Sequence, residues 1–157
     1  MITVFIDGAC EPFNPGGYGA CAFAAFEGAV SGGKDDPRPK PLKQAALILG
    51  NGNGMTNNVA EWRALRGTLQ WLSQNTKPQP IALFMDSQLV VNQFTEKWQC
   101  NVPALYALRE ECRKLWRSEM ILTWIPREQN WVADDLINRL YASKGIKVTV
   151  RPRKTKT

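Results

Sequence analysis

Apolar residues fall along this chain in two rhythms: short unbroken runs, and longer stretches where they recur every three or four positions. The run ITVFI (2–6), β-branched and ending at Asp7, predicts a strand. EPFNPGGYG has turn chemistry, and GACAFAAF (19–26) predicts a second strand. From 28 to 43 the composition shifts to Gly, Pro, Lys and Asp, which predicts an exposed hairpin loop. QAALILG (44–50) predicts a third strand, closed by the NGNG turn. Over 58–74 the spacing of Leu65, Leu69 and Leu72 predicts a helix, with Asn58 placed to cap it. IALFM (81–85) is apolar at every position, as in a strand buried on both faces, and ends at Asp86. Helices are predicted at 88–99 and at 103–117, where Pro103 suits a first turn. MILTWI (120–125) predicts a fifth strand, PREQN a loop, and 131–143 a last helix stopped by Gly145.

The order β-β-β-α-β-α-α-β-α defines an α/β fold: an antiparallel meander followed by parallel βα units, giving a five-stranded mixed sheet flanked by helices. The chain of 157 residues suits one domain over 1–150, followed by a basic tail at 151–157. No apolar run approaches the roughly 20 residues of a membrane span. The start, MITVFIDGAC, lacks the pattern of a secretory leader, so no membrane partner is expected and the cytoplasm is the expected compartment. The four cysteines form no CxxC pair, and there is no histidine, so a zinc site is disfavoured and reduced thiols are expected. The net charge of +6, from 20 basic and 14 acidic residues, suits a polyanionic partner without specifying one.

Four carboxylates stand where a core should be. Asp7 and Asp86 each end an apolar strand, Glu61 heads the stripe of Leu65, Leu69 and Leu72, and Asp134 opens the last helix ahead of Ile137 and Tyr141. A lone carboxylate set against a core costs several kcal/mol or takes up a proton. A group of them makes sense around a divalent cation, and an all-oxygen donor set favours Mg²⁺, with Mn²⁺ the alternative, over Zn²⁺. Each also has a purely structural explanation: strand ends for the two first-named aspartates, a capping box from Asn58 to Glu61, and a helix dipole for Asp134. Asp135 differs, since Arg139 at i+4 offers it a surface ion pair.

The blocks IDGAC…NPGGYGA, TNN-VA-E, MDSQ-VV and PREQNWVADDLINR, in this order, resemble the signature segments of the type 1 ribonuclease H family. The resemblance implies an acidic metal-binding tetrad of Asp7, Glu61, Asp86 and Asp134, with Mg²⁺ as cofactor. It implies hydrolysis of the RNA strand of RNA–DNA hybrids by a two-metal route, one ion activating water and the other stabilising the leaving oxygen. Products would carry 5′-phosphate and 3′-hydroxyl ends. Substrate contacts would fall on Gly8 (through its backbone), Asn14, Thr56, Asn57, Asn58 and Gln88. Short amides and hydroxyls of this kind can read 2′-hydroxyls across a shallow minor groove. A monomer is expected, and double-stranded RNA is a second candidate substrate because its groove geometry is similar.

Two departures from the family pattern stand out. Many members carry a histidine in the loop before the last acidic helix; here Arg127 is the candidate replacement in a catalytic role, against a plain solvated loop arginine. Some carry a Lys- and Trp-rich protrusion, whereas FTEKWQCNVPA (94–104) contains one lysine. Hybrid affinity would then lean on the basic tail. Two alternatives of other classes are a non-catalytic nucleic-acid-binding module on the same fold and a related nuclease acting on DNA. The full carboxylate set argues against the first, and the TNN and DSQ blocks against the second.

Overall fold

The computed structural model describes residues 1–149. Its strands are β1 (Ile2–Glu11), β2 (Gly16–Glu27), β3 (Lys43–Gly52), β4 (Ile81–Met85) and β5 (Met120–Trp124). Its helices are α1 (Asn57–Asn75), α2 (Gln88–Phe94), α3 (Pro103–Leu115) and α4 (Trp131–Ser143), with a 3₁₀ turn at Arg127–Asn130. The strands form one sheet in the order β3-β2-β1-β4-β5. Pairing is antiparallel among the first three strands, while β1–β4 and β4–β5 are parallel. The expected order and sheet type are both present. The tail with Arg151, Arg153, Lys154 and Lys156 lies outside the described residues. Among the described residues no helix is long and apolar enough to cross a membrane.

The pleat of β1 sorts its side chains between two cores. Val4 and Ile6 join Trp62, Leu65, Leu69 and Leu72 of α1 in the main core, and Phe5 packs with Val132 and Ala133 of α4 on the other side. Apolar burial at roughly 25 cal/mol per Å² is what holds both helices to the sheet. A hydrogen bond from the Trp62 indole Nε1 to Gln93 Oε1 (3.0 Å) ties α1 to α2 inside the main core.

Three expectations about these elements need correction. The first strand does not end at Asp7: it runs on to Glu11, because Asp7 to Glu11 keep pairing with Ala22 to Tyr18 of β2. β4 is not buried on both faces, since Ala82 and Phe84 are only half-buried. The second helix stops at Phe94 and not near 99: Thr95 Oγ1 donates back to Val91 O (2.8 Å), and Glu96 adopts a left-handed φ of 63°. The 28–43 segment is the expected exposed hairpin loop between β2 and β3, and it is anchored at one point. Gly32 O accepts from Val132 N (3.1 Å), and Arg38 lies over the Trp131 ring at 5.9 Å, so the loop seats on the start of α4.

The cap of α1 is Thr56, not Asn58. Thr56 has extended dihedrals and its Oγ1 accepts from Val59 N at 3.1 Å, which satisfies one orphan amide of the first turn. Glu61 therefore lies two residues past the position that closes a capping box, and that explanation of it falls. Thr56→Ala should cost about 1 kcal/mol of stability, read as a lower urea midpoint at unchanged m-value.

Candidate active site

The parallel register decides where the first two carboxylates meet. β1 and β4 pair through Ile6↔Met85, so the next residue on each strand is an aspartate, and Asp7 stands beside Asp86. Neighbouring strands are about 4.8 Å apart, so the two side chains share one small space. α1 brings the third carboxylate. An ideal Cβ on Gly8 would lie 2.5 Å from Ala60 C and 2.5 Å from Glu61 N, so only a glycine lets the helix backbone sit this close to β1. That approach brings Glu61 to Asp7. α4 supplies the fourth, Asp134, in its first turn.

Asp7 lies within electrostatic reach of the other three carboxylates. Burial raises the Asp7 pKa well above its ordinary value, and the charges of Asp86, Asp134 and Glu61 push it further; the Gly8 amide, donating to Oδ1 at 2.9 Å, opposes them. Asp86 is raised first by burial and then by Asp134, against Arg127 and hydrogen bonds from Asn130 and Asp7. Asp134 itself is held outward: its Oδ1 is 3.6 Å from the Arg127 guanidinium, and its Oδ2 accepts from Asn138 Nδ2 at 3.3 Å. Asp135 makes the expected surface pair with Arg139 at 2.8 Å.

Among the described residues, no three His, Cys, Asp or Glu side chains already close into a metal cage. Asp134 is instead engaged by Arg127 and Asn138. In chemistry the set suits a hard divalent cation: every donor is a carboxylate oxygen, and the two central ones carry charge that burial penalises. The cysteines offer no rival site, being unbridged and mostly buried.

The candidate substrate residues divide into two groups flanking the carboxylates. Asn14 and the start of α1 are joined, with Asn57 N donating to Asn14 Oδ1 (3.0 Å) and Asn57 Oδ1 accepting from Cys10 N (2.8 Å). Thr56 caps the helix beside them, and Asn58 is exposed in its first turn. Gln88 stands apart, exposed at the head of α2 just past Asp86. Gly8 does not offer its amide outward, because Asp7 takes it. Arg127, half-exposed, opens the 3₁₀ turn between Asp86 and Asp134.

Sequence reasoning missed Asn130. This side chain is fully buried, donates from Nδ2 to Ile6 O (2.9 Å), and also supports the Asp86 carboxylate. Among the described residues its Oδ1 has no partner, while its Nδ2 ties the turn before α4 to β1. Trp124 was also missed; its Nε1 donates to Asp86 O at 3.2 Å. Only the docking of α4 buries Asn130, so nothing local in PREQN marks it.

A mixed sheet in this strand order, with carboxylates meeting where the β1–β4 parallel pairing ends, defines the ribonuclease H-like class. A family model described as Reverse transcriptase-like matches residues 45–140. The bifunctional protein Rv2228c of Mycobacterium tuberculosis is 31% identical over 129 residues, which is 80% of this chain. The chain spans only 31% of the length of that curated relative. Among solved structures, ribonuclease H1 of Halobacterium salinarum superposes with a TM-score of 0.74 at 29% identity, covering 90% of this chain and 98% of that one. The N-terminal ribonuclease H domain of Rv2228c, solved as a fusion with maltose-binding protein, gives 0.73 at 26% identity, covering 92% and 95%. This chain belongs to the reverse transcriptase-like family and shares the fold of these ribonuclease H structures.

Proposed function

We propose that the protein is a divalent-metal-dependent endonuclease that hydrolyses the RNA strand of RNA–DNA hybrids. The observation that carries this is the Ile6↔Met85 register, which sets Asp7 beside Asp86 within reach of the charges of Glu61 and Asp134. Without a counter-cation such a cluster is costly, and structural roles do not require it. Asp7, Glu61, Asp86 and Asp134 would hold Mg²⁺, or Mn²⁺ in its place. Bound there, a pair of such ions supplies activation of water and stabilisation of the leaving 3′-oxygen, leaving 5′-phosphate and 3′-hydroxyl ends. The chain's own residues do the rest. Gly8 and Asn130 hold the two central aspartates in place, and the Asn14, Thr56, Asn57 and Asn58 rim faces the groove where 2′-hydroxyls distinguish RNA.

End-labelled hybrid, duplex DNA and duplex RNA, incubated with Mg²⁺, Mn²⁺ or EDTA, test this directly. Cutting of the hybrid's RNA strand with Mg²⁺ and none with EDTA is the expected result. Binding without cleavage would instead identify a non-catalytic module, and cleavage of duplex DNA a different nuclease. Cleavage of duplex RNA would add it as a second substrate.

Arg127 is proposed to draw a phosphate toward the site. A guanidinium keeps its charge across neutral pH and cannot shuttle protons there. Arg127→Ala should therefore slow turnover by a factor that stays nearly constant from about pH 6 to about pH 9, and Arg127→Lys should recover part of the loss. Wild-type rates in Arg127→Ala, or a defect confined to one side of a titration, would rule the role out.

A further inference from the structure

Helix α4 carries Asp134 and follows directly on Arg127 and Asn130, yet no side chain caps its start. The first amides of a helix have no partner inside it. One of them, Val132 N, finds its partner far back in the chain, donating to Gly32 O at 3.1 Å. Gly32 belongs to the loop between β2 and β3, where it is buried while most of its neighbours are exposed.

This part of the loop is ordered by its own contacts. Arg38 Nη1 donates to Ser31 O (3.1 Å) and to Gly33 O (2.7 Å), so one guanidinium grips the backbone on both sides of Gly32. The same group lies over the ring of Trp131, the first residue of α4. Asp36 Oδ2 accepts from Gly33 N (3.0 Å), and Val30 packs with Ile125, Val132 and Ala133. A Cβ on Gly32 would meet Gln129 O and the Phe5 ring. Gly32 is therefore wedged between β1, two residues before Asp7, and the turn that carries Arg127 and Asn130. A loop whose only task is to join β2 to β3 needs none of these contacts with α4.

We propose that the β2–β3 loop clamps the first turn of α4, with Gly32 and Arg38 as positioning residues that hold Asp134 and Arg127 against Asp7 and Asp86. The inference rests on the nuclease reading above and adds to it two residues remote from the carboxylates themselves. Misplacing a catalytic group by about 1 Å can cost roughly a hundredfold in rate, so the clamp should set turnover and not stability alone.

Arg38→Ala, Arg38→Lys and Gly32→Ala test it against Arg117→Ala. Arg117 donates to Leu72 O (2.9 Å) and Thr76 O (3.1 Å) at the end of α1, so its loss destabilises the fold away from the carboxylates. In EDTA, hydrogen exchange at the Val132 amide, taken relative to that of Leu83 in the core, should quicken in Arg38→Ala and Gly32→Ala but not in Arg117→Ala. With Mg²⁺ and hybrid, kcat should fall about tenfold in Arg38→Ala while KM stays within about twofold of wild type. Arg38→Lys should recover part of that loss, and Arg117→Ala should keep wild-type kcat below its own melting range. The Arg38 variants decide the matter if Gly32→Ala does not fold. Wild-type exchange at Val132 in Arg38→Ala, or an equal loss of kcat in Arg117→Ala, overturns the clamp. Faster exchange at Val132 with unchanged kcat overturns its part in placing Asp134. A wild-type protein that leaves the hybrid intact overturns the nuclease reading instead, and the exchange comparison then decides the clamp alone.

Discussion

Asp86→Asn is expected to abolish hybrid cleavage, by more than about a thousandfold, the scale on which loss of one central group acts in other hydrolases. The protein should stay folded. Burial and the Asp134 charge raise the pKa of Asp86, and burial with three neighbouring carboxylates raises that of Asp7 well above its ordinary 3.8. A carboxyl group raised in the folded state contributes stability that is fully present below its unfolded pKa. That contribution is lost as the pH rises through the folded value. At neutral pH without metal, the ionised pair therefore weighs against folding, and replacing Asp86 removes part of the repulsion. Thermal melts in EDTA should show the variant at or above wild type near pH 7. Acidification toward about pH 4 should narrow the gap, because protonation relieves the wild type as well. Mg²⁺ should raise the wild-type Tm more than that of the variant, since binding to the native state alone stabilises it. Substantial Mg²⁺-dependent cleavage by the variant would sink the proposed role of this carboxylate.

Gly8→Ala should damage both stability and activity, although a methyl group brings no charge. The added Cβ would meet backbone atoms of Ala60 and Glu61 at 2.5–2.6 Å, and backbone cannot turn aside as a flexible side chain can. α1 must move off β1, at a cost of about 1–3 kcal/mol for forced overpacking. The same shift draws Glu61 away from Asp7, so the cleavage rate should fall with the urea midpoint. Gly67 provides the contrast: it lies within α1, and a Cβ there meets nothing within 4 Å. Gly67→Ala should gain roughly 0.5–1 kcal/mol and leave cleavage alone. If Gly8→Ala kept wild-type stability and rate, close seating of α1 on β1 would not be what places Glu61.

Asp7 and Asp86 were legible as candidates because an apolar run that stops at a carboxylate is a local pattern. That they are neighbours was not, since it depends on the Ile6↔Met85 register between segments distant in sequence. Asp134 could be told from Asp135 by the arginine at i+4, and the structure pairs Asp135 with Arg139. The helix cap was misread because TNN offers three capping residues in a row. The choice of Thr56 is settled by Asn57, whose amide and side chain are both engaged by the β1–β2 hairpin. The exposed 28–43 loop was legible in its glycines and prolines, but its anchor on α4 was not. Gly32 matters for its bare backbone, which reaches the start of α4. Asn130 was illegible for a related reason: its burial belongs to the docked helix and not to its own neighbours in sequence.

The four carboxylates ride on β1, α1, the end of β4 and α4, so no contiguous piece of the fold holds the whole set. Without α4 and the turn before it, the site lacks Asp134, Arg127 and the bracing side chain of Asn130. Regain of cleavage during refolding therefore reports the assembly of all four elements, and a chain truncated before α4 should be catalytically silent.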